Sequence, residues 1–395
     1  MAMTTRRGFV TGIAGLGAAV GVSQAGVTAK ASNPPDTQKV YERLGIRPVI
    51  NGFGTVTIFG GSLMPPEVTQ AMDEASRHFV YIPELQRQAG RRLAELLDVP
   101  AAMVTSGAAS AITVGTAACM TRGDAGRLAQ LPDVTGMRFE VVQQKSHRGE
   151  YYQQILVTGA KIVEVETREE LDRAINDRTA MMFFLNKADP QGRIHREEWI
   201  QVGRDRGVPT FNDAAADVPP PQHLSSYVKD GFDLVGFSGG KGLRGPQCSG
   251  LLVGNKELID AGMAAISPNQ GIGRAMKVGK EEIIGLLAAV ERYLRVDHDA
   301  ERRELDSRAA YIIDSLKRAG LRATLDVPEI ANHVPHVQID WVGKQTAAEV
   351  VRQLLAGTPS IAIAERAERG LTVSVWMMRP GEHKFVAKRL LKVLA

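Results

Sequence analysis

Apolar and polar positions along this chain change period from one stretch to the next. Short apolar runs at 139–142, 162–165, 181–185, 209–212, 234–237 and 251–253 have the length and composition of buried strands. Helical patterns lie between several of them, notably around 169–175 and 197–206. Ile283, Leu287, Val290 and Leu294 recur at helical spacing and predict a long connecting helix over 281–296. Such alternation predicts an α/β fold, a mostly parallel sheet covered by helices on both faces. Beyond about residue 300 the texture changes. Val337, Ile339 and Trp341 alternate, as do Val373 and Val375, and a last helical pattern runs through Val386, Leu390, Val393 and Leu394. The expectation is a large domain over 76–298 followed by a smaller α+β domain over 299–395.

Upstream, a helical pattern starts at Val68, breaks at Pro83 and resumes over 84–97. The run 103–111 reads Met-Val-Thr-Ser-Gly-Ala-Ala-Ser-Ala. Ser106 suits a helix N-cap, with the helix continuing to about Cys119. A helix start offers free N–H groups and partial positive charge to a phosphate; an ordinary capped, closely packed helix fits the same pattern. Residues 32–75 form an N-terminal segment and linker. Within it, Gly52-x-Gly54 lacks the third glycine of a dinucleotide fingerprint and is read as a loop at the mouth of the site.

Residues 1–31 carry a different signal. Thr5-Arg6-Arg7-Gly8-Phe9-Val10 resembles a twin-arginine export signal. The apolar run from Val10 to Val22 is shorter than the roughly 20 residues of a membrane span, and Ala29-Lys30-Ala31 forms a small-x-small cleavage site, with Ser23-Gln24-Ala25 as a second candidate. The expectation is a periplasmic protein with no stable membrane insertion after cleavage.

The 395 residues are 44% hydrophobic and 23% charged, ordinary for a globular protein. Of the formal charge of +4, Arg6, Arg7 and Lys30 supply three within an acid-free leader, so the rest is near neutral. That balance gives no sign of nucleic acid as a partner. The two cysteines, Cys119 and Cys248, have no metal-type spacing and are read as buried thiols.

Candidate chemistry gathers at two strand ends. The run 234–237 leads through Ser238-Gly239-Gly240 to Lys241, and Phe211-Asn212 leads to Asp213, 28 residues earlier. Both fall where an α/β sheet places its ligands. A lysine buried there loses its proton readily and can form a Schiff base; a surface lysine in a glycine-rich turn fits the stretch equally. A phosphate-cradling nucleotide loop is excluded, because Val235 and Gly242 occupy its Gly and Ser/Thr positions. An acid, a lysine and a helix start are together what pyridoxal phosphate requires.

These residues carry a resemblance. Thr105 to Ala111, Asp213-Ala214-Ala215-Ala216, Phe237 to Lys241, Gly245-Pro246-Gln247, the run 271–282 and Pro380-Gly381-Glu382 are similar to fold-type I pyridoxal-phosphate enzymes. The branch is that of bacterial seryl-tRNA selenium transferase and D-glucosaminate-6-phosphate ammonia-lyase, and the likeness runs from about residue 40 to the end. The resemblance implies Lys241 as the Schiff-base lysine and Asp213 as partner of the ring nitrogen. It implies Ser106, Gly107, Ala108 and Ser238 at the phosphate, and His147 against the cofactor ring or as a solvated loop histidine. Arg274 would meet substrate or cofactor phosphate, and Arg379 would clamp a carboxylate; surface charge is the alternative for each.

The implied activity is a lyase that takes ammonia from a small hydroxy amino acid or amino-sugar acid by β-elimination, giving a 2-oxo acid. Racemisation, aldol cleavage, transamination, selenium transfer and a binding protein without catalysis stand as alternatives. A homodimer or higher homo-oligomer is implied. The tRNA reaction is discounted, because an exported protein would not meet charged tRNA.

Overall fold

Six of the apolar runs pair with a seventh strand in one sheet of the computed structural model, which describes residues 38–394. The leader expected over 1–31 lies outside the described residues. In chain order, the first two strands are β1 (Val49–Gly52) and β2 (Ala101–Thr105). Then come β3 (Glu140–Gln144), β4 (Lys161–Val165), β5 (Thr179–Leu185), β6 (Thr210–Asp213), β7 (Leu234–Ser238) and β8 (Gly250–Gly254). The C-terminal strands are β9 (Arg322–Asp326), β10 (His336–Asp340), β11 (Ser360–Ala367) and β12 (Gly370–Ser374).

The large sheet has the order β2-β8-β7-β6-β5-β3-β4. All neighbours are parallel except those of β8, which runs against both β2 and β7. Parallel strands covered on both faces show no alternation, and every residue of β5 is buried. The helix Ala108–Thr121 lies against this sheet, with Ser110 through Thr121 all buried. Two glycines permit that approach. A Cβ on Gly115 would sit 2.6 Å from the Phe211 ring, and one on Gly236 would sit 3.2 Å from it.

The second sheet has the order β1-β11-β12-β10-β9, antiparallel apart from the β1–β11 pair. Its core includes Ile312, Val337, Val373 and Leu390. Here the structure corrects part of an expectation: Gly52, read with Gly54 as a loop, is the last residue of β1, while Phe53 and Gly54 beyond it do lie at the cleft; β11, the partner of β1, is a strand that apolar alternation did not announce. The predicted helix over 281–296 is Lys280–Tyr293, followed by a separate helix, His298–Arg318. By itself, the N-terminal unit ending at Pro48 contributes the short helix Gln38–Glu42; the chain from Val49 onward forms one unit. Among the described residues no helix is long and apolar enough to cross a membrane, and no cluster of three metal-ligating side chains occurs.

Cys119 is buried and Cys248 exposed, both free, so the reading of two buried thiols holds only for the first. Burial pushes the Cys119 thiol up to about 12, which keeps it protonated and unreactive.

Candidate active site

β6 and β7 run parallel with Asp213 opposite Gly236, so both strands end at the same edge of the sheet. The chain leaves β7 through a turn that has no room for side chains. A Cβ on Gly240 would lie 2.5 Å from Gln247 Oε1, and one on Gly242 would lie 2.1 Å from the Val218 carbonyl oxygen. None of Gly239, Gly240 and Gly242 adopts positive φ, so close approach rather than backbone freedom requires glycine here. The Gly239 N–H donates to Ser249 O, and the Gly245 N–H to Gly239 O, both at 2.8 Å. This packing delivers Lys241 half-buried into a cleft of about 660 Å³ between the two sheets, a volume typical of small-molecule sites.

Asp213 lines the same cleft. It is 5% exposed, and its Oδ1 accepts the Ala215 N–H at 3.1 Å. Burial pushes its carboxyl up, against the opposing pull of that N–H, Lys241 and Lys187. Lys241 is shifted the other way. Burial pushes its amine down, Asp213 opposes the fall, Lys187 adds to it and Asp217 opposes it. Among the described residues no hydrogen bond or ion pair engages the Lys241 amine. The site therefore holds an amine of reduced basicity and a buried acid with no hydrogen bond or ion pair between them.

The expected phosphate residues come together around Gly250. Thr105 and Ser238 both pair with Gly250, from opposite sides, and a Cβ on Gly250 would lie 2.4 Å from the Gly107 carbonyl carbon. Ser106 is not the helix cap that its sequence position predicts. Its hydroxyl donates to Met276 O at 3.1 Å, and the N-cap is Gly107, at φ 97 with no side-chain cap. The first N–H groups of the helix, from Ala108 onward, are thus left free of side-chain capping, and the Ser110 hydroxyl is buried without a partner. An uncapped helix start, an unpaired amine of lowered basicity and a buried acid fit pyridoxal phosphate.

His147 is fully buried rather than solvated. Its Nδ1 accepts the Leu185 N–H at 3.1 Å, and its ring packs edge-on to Phe184 at 4.5 Å. Burial pushes it down to about 4, so it is neutral. It borders a small recess that Asp213 also borders. Arg274 and Arg379 are not brought to the cleft. Arg274 is exposed and donates to Ser267 Oγ at 3.2 Å, while exposed Arg379 engages Glu382 through its backbone N–H at 2.7 Å.

Sequence reasoning missed Asp217 and much of the opposite wall. Asp217 lines the cleft at 2% exposure, tied to Asn186 and Tyr227. Its signal was visible as the second acid of Asp213-Ala-Ala-Ala-Asp217. From the second sheet and the loop that leads into β10 come Asn332, His336 and Ser374, whose Oδ1, Nδ1 and Oγ are buried without partners. Ala331 and Asn332 both hold positive φ, 57° and 48°, a cost that non-glycine residues bear where function demands it. Nothing in their sequence marks these positions as site residues.

The fold and the site define a fold-type I pyridoxal-phosphate-dependent enzyme. A solved structure of D-glucosaminate-6-phosphate ammonia-lyase superposes with a TM-score of 0.77 at 30% identity, covering 90% of this chain and 98% of that one. A family model described as SelA, L-seryl-tRNA selenium transferase, matches residues 49–307, and the chain belongs to that family. D-Glucosaminate-6-phosphate ammonia lyase of Salmonella typhimurium is 36% identical over 268 residues, 65% of this chain and 70% of that protein. 5'-C-Glycyluridine monooxygenase-decarboxylase of a Streptomyces species is 32% identical over 375 residues, 90% of this chain and 92% of that protein.

Proposed function

We propose that this protein is an ammonia-lyase acting on a small β-hydroxy amino acid or amino-sugar acid. The observation that carries the reading is the unpaired Lys241 amine sharing one cleft with buried Asp213. Similarity to the ammonia lyase supports the reaction type. The free N–H groups after Gly107, with Ala108, Ser106 and Ser238, would hold the cofactor phosphate, and Lys241 would hold its aldehyde carbon. Bound pyridoxal phosphate supplies an acceptor for the negative charge that develops at the substrate Cα. Asp213 would hold a proton on the cofactor ring nitrogen. Lys241 Nζ would take the proton from Cα; its lowered basicity leaves more of it neutral for that task. His147, neutral and bonded to main chain through Nδ1, walls the recess beside Asp213 and takes no part in moving a proton. Asn332, His336 and Ser374 line the cleft and would form the polar side of a substrate pocket.

The test is an ammonia-release screen of the cofactor-loaded protein with β-hydroxy amino acids and amino-sugar acids. Equimolar ammonia and 2-oxo acid are expected without an added keto acid. Similarity to the monooxygenase-decarboxylase across nine-tenths of the chain favours a second reading, oxidative decarboxylation. Oxygen uptake with carbon dioxide release, and no ammonia from a β-hydroxy amino acid, would establish it and reject the lyase.

A homodimer is part of the same proposal. Exposed Phe79, Tyr81 and Ile58 offer apolar surface for a second copy, and exposed Arg274, held among the described residues only by Ser267, lies where it could meet a neighbouring site. Sedimentation should give twice the mass of the chain; a monomer that turns over substrate would refute it.

A further inference from the structure

We propose that Asp217 is the acid that protonates the departing β-oxygen, a role separate from that of Lys241; this rests on the elimination reading above. Hydroxide leaves carbon poorly, so loss of a β-hydroxyl needs a proton donor at the oxygen. The balance is simple. Lys241 Nζ takes the α-proton, the C–H electron pair becomes the second Cα–Cβ bond, and the Cβ–O pair leaves with oxygen. Asp217 gives that oxygen its proton, water departs, and the carboxylate recovers a proton from solvent.

Two carboxyls line the cleft, Asp213 and Asp217. Asp213 is engaged at the cofactor ring in the proposed reading, which leaves Asp217. Its Oδ2 is gripped by two donors, Asn186 Nδ2 at 2.6 Å and the Tyr227 hydroxyl at 3.2 Å. Asn186 Nδ2 also donates to the Tyr227 oxygen at 3.0 Å, and the Arg196 guanidinium lies 5.3 Å from the Tyr227 ring centre. His223 Nδ1 bonds the Asp217 carbonyl oxygen at 2.7 Å, fixing the backbone. Both side-chain donors address one oxygen. Among the described residues, Oδ1 has no hydrogen-bond partner. A carboxyl serving only as a structural tie has no reason to be held on one oxygen and left open on the other, at the wall of a cleft.

The charged and titratable groups around Asp217 are Asp213 from β6, Lys241 from the turn after β7, Tyr227 and His223 from the helix His223–Asp230, Arg196 over the Tyr227 ring, and Lys187 on the cleft wall. Burial first, and the charge of Asp213 after Asn186 has pulled the other way, push its carboxyl up to about 6. That places its proton within reach near neutral pH.

The test uses cofactor-loaded protein in D2O with D-glucosaminate 6-phosphate and L-serine as probes. Exchange of the substrate α-proton reports Lys241; ammonia release reports departure of the hydroxyl. In Asp217→Asn, ammonia release should fall about 100-fold while exchange stays within about threefold. In the wild-type protein, release relative to exchange should fall about tenfold per pH unit above about 6 and become pH-independent in Asp217→Asn. Tyr227→Phe should lower release by about tenfold with exchange retained. Equal losses of exchange and release would show a structural role and overturn the assignment, as would full release by Asp217→Asn. If the wild-type protein neither exchanges nor eliminates with either probe, the lyase reading fails, and a second measurement decides Asp217. In cofactor-free protein carrying 13C at the aspartate carboxyls, one resonance should titrate near 6 and vanish in Asp217→Asn; absence of such a resonance overturns the proposal.

Discussion

Lys241→Ala protein is expected to fold and to release ammonia at least about 10³-fold more slowly than the wild-type protein. The expected size follows from the two tasks of one amine, holding the cofactor and moving the α-proton, neither of which an alanine can perform. Stability should change little, because the side chain is half-buried and, among the described residues, unpaired. Activity alone would not separate loss of chemistry from loss of binding. The decisive readout is covalent: after incubation with pyridoxal phosphate and borohydride, digestion should find the reduced cofactor on the peptide bearing Lys241. Lys187 is the competing amine, since it lines the same cleft but is exposed. Its amine keeps access to water, whereas burial favours the neutral form of Lys241. Labelling at Lys187 with Lys241 untouched would remove the basis for the site.

Asp213→Asn should cost about 10² to 10³ in rate, the size expected when one preorganised charge is removed from a site shielded from water. An asparagine keeps an oxygen for the Ala215 N–H, so geometry survives while charge is lost. The same substitution should stabilise the cofactor-free protein. The folded-state pKa of Asp213 is raised above its ordinary 3.8, so the folded protein holds this proton more tightly than the unfolded chain. Stability from that preference is present below 3.8 and is lost as pH rises through the folded value. Asp213→Asn should therefore melt higher than the wild-type protein at pH 7.5 and near it at pH 3.5. A gain of equal size at both pH values would mean that the carboxylate is not the source of the cost. Retention of activity within about threefold would mean that it does not serve the reaction.

Stability given up at Asp213 and at the positive-φ pair Ala331–Asn332 belongs to one pattern, in which the cleft keeps groups that a merely stable protein would replace. The same pattern explains which parts of the site could be read in the chain. Lys241 and Asp213 stand directly after apolar runs, and strand ends of a parallel sheet open onto one edge. Ser106 shows the limit of local reasoning. Its type and place suit a cap, yet its hydroxyl is drawn to Met276, 170 residues away, and Gly107 takes the cap position. Arg274 and Arg379 carried the right charge for a substrate but remain exposed in the chain by itself.

What the chain determined unaided was its large sheet, its lysine and its acid. Strand period, burial and glycine spacing are properties of neighbours in sequence, so they survive without knowledge of the rest. Only the tertiary structure decided the other wall of the cleft, where the segment after β1, the loop at Ala331–Asn332 and Ser374 of β12 bring residues from three distant stretches into one cleft with Asp217 and Lys241. Their polar atoms become unusual only once packing has taken away water, and whether water is taken away depends on contacts that no local pattern records.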